Sequence, residues 1–381
     1  MLYNIMAKRS YRRHNGICTI KLLVTLKTKM PKGDSLYITG NLLELGDWEP
    51  TGKQLHLCED GTYSIEFNAR KGTIIECKLT RGTWKSQGIY INNGKPPDNY
   101  VIKADKDKIV KVSILDWLDK RVMISDPVKG KLLAFDRFTC KGLKYKRGIE
   151  VWLPETYSEA HQPYSVIYTH DGQNLFEPGN AFAGMDWKVD ETVTKLLNEG
   201  KIKNCIVVGI PNSPDRMKEL NLETTLGKSY AQFIIEEVMP FVETKFNVSR
   251  NFSDSFIMGS SMGGLMAFQM GFTFPHKFGG AACLSSAFQS KFSKIIEQVK
   301  HSDHLPQGLR VYIDTGEYEK EINEREDICE CYYKMMEILV KRGFKEGENL
   351  MGYFDEKATH TESAWAMRLK IPLMFLLGKI K

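Results

Sequence analysis

No apolar run in this 381-residue chain approaches the roughly 18 residues that a membrane-spanning helix requires. Its first residues also lack the apolar core of a secretory signal, so the expectation is a cytoplasmic chain with no membrane partner. Disulfide chemistry is missing too. The eight cysteines are scattered, mostly within apolar runs such as Ala281-Ala282-Cys283-Leu284, without the spacing of a disulfide framework, which fits reduced thiols. Cys329-x-Cys331 has no second Cys or His pair at ligand spacing, and neither a metal nor another cofactor is expected. Internal repeats and low-complexity tracts are absent. Charge is nearly balanced over most of the chain: residues 1–126 carry 21 Lys+Arg against 14 Asp+Glu, and the remainder 32 against 33. Lys8, Arg9, Arg12 and Arg13 therefore read as a solvated basic tail over residues 1–16 rather than an arm for nucleic acid, and no nucleic-acid partner is expected.

What remains is an ordinary globular composition, 42% hydrophobic and 26% charged, in a chain longer than one core normally organises. The periodicity divides it. Short alternating runs at 19–26, 35–38, 63–67, 73–79 and 109–114 are separated by turn formers such as Pro31-Lys32-Gly33-Asp34 and Glu59-Asp60-Gly61, which predicts an all-β, immunoglobulin-like sandwich over residues 17–120. A polar connector is expected over 121–135. From 136 to 381, apolar runs at 151–153, 165–168, 205–210, 256–258, 311–313 and 351–354 alternate with amphipathic stretches at 187–197, 230–246, 265–272, 325–341 and 363–377. That alternation predicts an α/β unit: a doubly wound, mainly parallel sheet flanked by helices.

Gly259-Ser260-Ser261-Met262-Gly263 follows one of these strand-like runs and opens a helix-like one. A strand, a tight turn and a helix make a nucleophile elbow, with small residues two before and two after the serine, so Ser261 is the candidate nucleophile. A serine hydroxyl needs a base, an acid to orient that base, and donors for the developing oxyanion. Of the later histidines, His276, His301, His304 and His360, only His360 lies in a loop after a strand-like run and before a helix start, where a base belongs in an open sheet. The acid is expected after the strand near 309–314, where Asp314, Glu317 and Glu319 compete equally on spacing. One oxyanion donor is expected from the Met262 N–H at the helix start and another from Gln173, beyond the bend that Gly172 permits.

Together, Val151-Trp152-Leu153-Pro154, His170-Asp171-Gly172-Gln173-Asn174, Arg216 with Glu219-Leu220, the Gly259–Gly263 pentapeptide and His360 with Trp365 resemble the esterase D, or feruloyl esterase-like, family of α/β hydrolases. The resemblance covers roughly residues 145 to 380. It implies a serine carboxylic-ester hydrolase working through an acyl-enzyme, with Glu319 as the acid ahead of Glu317, and with Gln173 and Met262 at the oxyanion positions. Trp187 and Phe176 read as core aromatics. The front unit resembles a family 20-type starch-binding carbohydrate module through Tyr37-Ile38-Thr39-Gly40-Asn41, Leu45-Gly46-Asp47-Trp48, Glu76-Cys77-Lys78 and Trp84. That implies sugar contacts from Trp48, Lys78 and Trp84, with a starch- or glycogen-type glucan as partner. Trp84 follows Lys78 sooner than the family pattern has it. The expected substrate is a small-molecule or carbohydrate ester; the alternatives are an acyltransferase with the same triad and a non-catalytic carbohydrate-binding protein.

Overall fold

The computed structural model describes residues 16–46, 48–91, 99–120, 127–136, 138–303, 305–319 and 327–379. The basic tail (1–15), part of the expected connector (121–126), Asp47 and His304 lie outside them. The chain divides into two compact units, Met1–Ile124 and Ser125–Lys381.

The first unit is all-β. One four-stranded sheet runs His56–Leu57, Tyr63–Arg70, Ile17–Leu26, Lys108–Ile114; the other runs Lys53–Gln54, Tyr37–Gly40, Ile74–Thr80, Tyr100–Lys103. Strand Ile17–Leu26 has the expected period of two, burying Cys18, Ile20, Leu22 and Val24 while intervening residues face outward. It pairs antiparallel with Tyr63–Arg70 and parallel with Lys108–Ile114. Strand Tyr100–Lys103 was not foreseen, because four residues with two exposed carry little pattern. Lys78 corrects the sugar-site expectation. Residues 75–80 of its strand are buried on both faces and Lys78 itself has no exposed surface, so its ammonium cannot serve as a surface donor to a sugar. Trp48 and Trp84 are half-buried, Trp48 in a turn with φ 63°.

The second unit is an eight-stranded sheet in the order Lys131–Phe135, Ile149–Leu153, Cys205–Ile210, Ser165–His170, Ser255–Ser260, Gly280–Leu284, Arg310–Gly316, Leu350–Asp355. The first two strands are antiparallel to their neighbours and the remaining six are parallel. The expected connector therefore ends earlier than 135, since Lys131–Phe135 is an edge strand, short and only half-buried. Strand residues alternate between two cores, as a period of two demands of a sheet covered on both faces. Val166, Ile206, Val208, Ile257 and Ile313 pack with the helices Met262–Thr273 and Ile328–Lys341; Ile167, Val207, Phe256, Met258 and Tyr312 pack with Val189–Asn198 and Lys370–Leu377. The long helix expected near 230–246 begins at Thr225 and passes through a π-helical turn, Phe233–Val238, before continuing as Met239–Lys245. Among the described residues, no helix is long and apolar enough to cross a membrane.

Candidate active site

The expected site residues lie at the carboxyl ends of the parallel strands, where an open α/β sheet places a site. Strand Ser255–Ser260 runs into helix Met262–Thr273, and the single residue between them, Ser261, holds φ 55° and ψ −121°. For a residue with a side chain that conformation costs on the order of 1–3 kcal/mol, which the surroundings offset. The Ser261 N–H donates to Leu284 O at 2.9 Å, and its carbonyl accepts from the N–H groups of Leu265 and Ala287, both at 3.0 Å. Small flanking residues are a steric requirement. A methyl group on Gly259 would sit 2.5 Å from the Gly263 carbonyl carbon and oxygen, which no side chain tolerates.

His360 lies between strand Leu350–Asp355 and helix Glu362–Arg368 with its side chain 26% exposed. Its Nδ1 is 3.3 Å from Glu319 Oε2, and the ring stands edge-on to Trp365 at 5.1 Å. Geometry thus separates the three competing carboxylates. Asp314 is turned to Arg368, whose Nε and Nη2 lie 2.9 and 3.0 Å from its two oxygens; Glu317 is half-buried in the turn; Glu319 alone of the three reaches His360. Glu319 is held from behind. Its Oε1 accepts from Ser285 Oγ (2.7 Å), Gly316 N–H (2.8 Å) and Arg368 Nη2 (3.2 Å), leaving Oε2 toward the histidine. Burial pushes the Asp314 carboxyl up, with the Arg368 guanidinium pulling against it. Among the described residues no hydrogen bond joins the Ser261 hydroxyl to His360, whose Nδ1 is on Glu319.

Gln173, the expected oxyanion residue, lies in the loop after strand Ser165–His170. Asp171 takes a left-handed conformation (φ 56°, ψ 45°) and starts the short 3-10 turn Gly172–Asn174. Gly172 is obligatory there, since a Cβ would meet Ile210 N at 2.4 Å. Met262, the first residue of its helix, presents an N–H with no intrahelical acceptor. The Asp171 carboxylate, buried beneath the turn, accepts a bidentate pair from Arg216 (2.8 and 2.7 Å) and a third bond from Asn212 Nδ2 (2.7 Å). Asn212 in turn donates its N–H to Gln173 Oε1 at 3.1 Å. Burial alone would raise the Asp171 carboxyl, but the Arg216 charge and these hydrogen bonds outweigh it and hold the group below its ordinary range. Neighbouring His170 is fully buried against the Tyr230 hydroxyl (2.9 Å), and burial pulls its imidazole down to about 4, so it is neutral at physiological pH. Glu362, two residues beyond His360, is pushed by burial up to about 7, with His360 and Arg216 opposing.

Sequence reasoning missed Ser285 and Arg368. Ser285 follows strand Gly280–Leu284 in a turn at φ 41° and gathers hydrogen bonds from Trp365 Nε1 and Arg368; Arg368 is 2% exposed. The available signal was an arginine three residues after Trp365, on the face that the helix buries. Trp187 and Phe176 are core residues as expected, at 0% and 5% exposure. The described residues that best suit a metal ion are Asp186, Asp190 and Glu191, away from the Ser261 turn in sequence and in no way required by it.

A family model described as "Putative esterase" matches residues 141–375, more than half of the chain. The chain belongs to that family. Among curated relatives, the uncharacterized protein YjcH of Bacillus subtilis (strain 168) is 24% identical over 212 residues, 54% of this chain and 83% of that protein. The amylopullulanase of Thermoanaerobacter thermohydrosulfuricus is 29% identical over 133 residues, 33% of this chain but 9% of its own length. Among solved structures, the enterobactin esterase FES from Shigella flexneri superposes with a TM-score of 0.55 at 13% identity, covering 90% of this chain and 87% of that one. At such identity the likeness carries the fold alone.

Proposed function

We propose that this chain is a serine carboxylic-ester hydrolase in which Ser261 is the nucleophile, His360 the base and Glu319 the acid. Ser261 Oγ attacks the ester carbonyl as its proton passes to His360; the tetrahedral oxyanion is received by the backbone N–H groups of Gln173 and Met262. Collapse expels the alcohol, which takes the proton from His360, and leaves an acyl group on Ser261. Water, deprotonated by the same imidazole, then attacks the acyl carbonyl and releases the acid. Glu319 keeps the Nδ1–H tautomer and stabilises the imidazolium that forms twice per cycle. The observation that carries this reading is the backbone of Ser261, φ 55° and ψ −121° at a strand-to-helix turn, in a chain whose Glu319 meets His360 at 3.3 Å. Membership of an esterase family supports the same chemistry. Hydrolysis of a short activated ester such as 4-nitrophenyl acetate tests it: Ser261→Ala should lose at least about 10⁴-fold in kcat, and unchanged turnover would remove the triad.

The substrate we propose is an ester of a small molecule or carbohydrate, with the first unit holding the enzyme on a glucan. The local similarity to an amylopullulanase supports the second part. With Lys78 buried, the contact falls to the half-buried Trp48 and Trp84, whose indoles suit the apolar face of a sugar ring. Co-sedimentation with insoluble starch checks this, and equal retention of the wild type and Trp48→Ala would remove Trp48 from the contact.

A further inference from the structure

The first turn of helix Val189–Asn198 and the residue two before its N-cap bring together three carboxylates. Asp186, Asp190 and Glu191 each place an oxygen within 4.8 Å of the other two. Close acidic groups usually owe their proximity to donors or to ion pairs, and these have few. Asp186 accepts one N–H, from Lys188 at 3.2 Å, and Asp190 Oδ2 accepts another, from Lys129 at 2.6 Å. Asp190 is 1% exposed, and its buried Oδ1 has no N–H donor; the Asp190 carboxyl lies close enough to the Glu191 carboxyl for the two to share a proton, so two like-charged groups meet where a proton or a cation must stand between them. Glu191 Oε2 is buried and unpartnered as well, and so is the hydroxyl of Thr194, one helical turn after Asp190 on the same face. Among the described residues, no Lys, Arg or His forms an ion pair with any of the three carboxylates.

Oxygen acceptors that lie this close, out of water and without donors, need positive charge from somewhere. A lysine or arginine would supply it from the protein, and here the Lys188 charge acts on Asp186 only weakly, outweighed by burial and by Glu191. Burial accordingly pushes Asp186 up to about 6 and Asp190 to about 7, the response of like charges left uncompensated.

We propose that Asp186, Asp190 and Glu191 bind one hard divalent cation of the calcium or magnesium class, with Asp190 Oδ1 and Glu191 Oε2 among its ligands. The donor set decides the class. It is all oxygen, with no thiol or imidazole, which suits calcium, magnesium or manganese rather than zinc or copper. The site has a mechanical consequence. Trp187, between two of the ligands in sequence, donates its backbone N–H to Asn174 O at 2.8 Å, and Val189 donates to Leu175 O at 3.1 Å, so a cation would pin the segment that borders the Gly172–Asn174 turn.

Thermal unfolding of the full chain, stripped with EDTA and then titrated separately with calcium, magnesium and manganese chlorides at about pH 8, is the primary test. Terbium luminescence excited through tryptophan is the second, since the Trp187 indole is adjacent in sequence to the ligands. The expected result is a rise in melting temperature of about 5 °C or more once a cation reaches about 100 times its Kd. Sensitised terbium emission should appear and be displaced by that same cation. Asp190→Asn and Asp186→Asn should each abolish both signals. Because each removes a buried negative charge, the stripped variants should also melt above the stripped wild type, which a merely structural carboxylate would not do. Identical melting with and without all three cations would overturn the proposal. A response that survives in both variants would overturn it too, as would a wild type whose stability falls with rising pH identically in EDTA and in cation, since protons alone would then fill the site. None of these readouts depends on ester hydrolysis.

Discussion

Arg368 Nη2 lies 3.2 Å from Glu319 Oε1, on the oxygen opposite the one that faces His360. The same guanidinium binds both oxygens of Asp314, so one buried cation serves two buried carboxylates. A fully desolvated arginine between two acids persists because removing either partner exposes the other. Arg368→Met should therefore cost about 3–5 kcal/mol of stability. In melting temperature that is a loss of roughly 10 °C for a unit of this size. Arg368→Lys keeps the charge and loses the planar fork, so the expected outcome is a smaller stability loss with kcat lowered about tenfold and KM unchanged. Wild-type kcat in a folded Arg368→Met protein would show that Arg368 acts on packing alone.

Replacing each acid in turn separates the triad carboxylate from its neighbours. Glu319→Gln retains shape but offers His360 the wrong tautomer, and kcat should fall by about 10³–10⁴-fold. Glu317→Gln, in a half-buried turn position with its N–H on Asp355 O, should leave kcat within about twofold. Steady-state rates on one activated ester suffice, and the reverse order of effects would reassign the acid to Glu317.

The parallel sheet, the elbow and the histidine loop were legible because each has a local signature: apolar runs at α/β spacing, glycines two either side of a serine, a histidine after a strand. Glu319 was not separable from Asp314 by spacing, since both follow the same apolar run, and what divides them is that Glu319 reaches His360 while both oxygens of Asp314 are taken by Arg368. That division is a tertiary fact, set by a loop and a helix more than forty residues later in the chain. Strand Gly280–Leu284 and Ser285 escaped for a related reason: a five-residue run of small apolar side chains buried on both faces has no alternation to read. Lys78 came only from the resemblance to a starch-binding module, and burial is a property of the folded strand that a matching motif does not carry.

Asp171 and Arg216 pair beneath the turn that carries Gln173, the proposed oxyanion donor, so their loss should appear in catalysis more than in binding. Arg216→Gln leaves the buried Asp171 carboxylate with Asn212 as its remaining side-chain donor. The expected outcome is a fall in kcat of about 10²-fold, similar to removing one oxyanion donor, with KM changed less than about threefold. A burst-phase measurement of acylation isolates the step; a defect confined to deacylation would detach the ion pair from oxyanion formation.

His170 and Asp171 impose an acid limit on the folded state. The His170 imidazole, ordinarily near 6.5, is held down to about 4, so between those values the unfolded chain binds more protons and stability falls as pH falls. Its contribution is complete above about pH 6.5, gone below about pH 4, and worth roughly 3 kcal/mol in full. Asp171 acts with the same sign in a lower window: its carboxyl is held beneath the ordinary 3.8, so its contribution is present above that value and is lost as pH drops through the folded one. Burial gives Asp190 the opposite sign, raising its carboxyl to about 7 and eroding stability as pH climbs from about 4 toward neutrality in the absence of a cation. Comparing wild type with His170→Asn by denaturant unfolding from about pH 7 to about pH 4 isolates the histidine. The wild type should lose more stability over that range than the variant, whose amide does not titrate, and parallel curves would mean that His170 does not carry the limit.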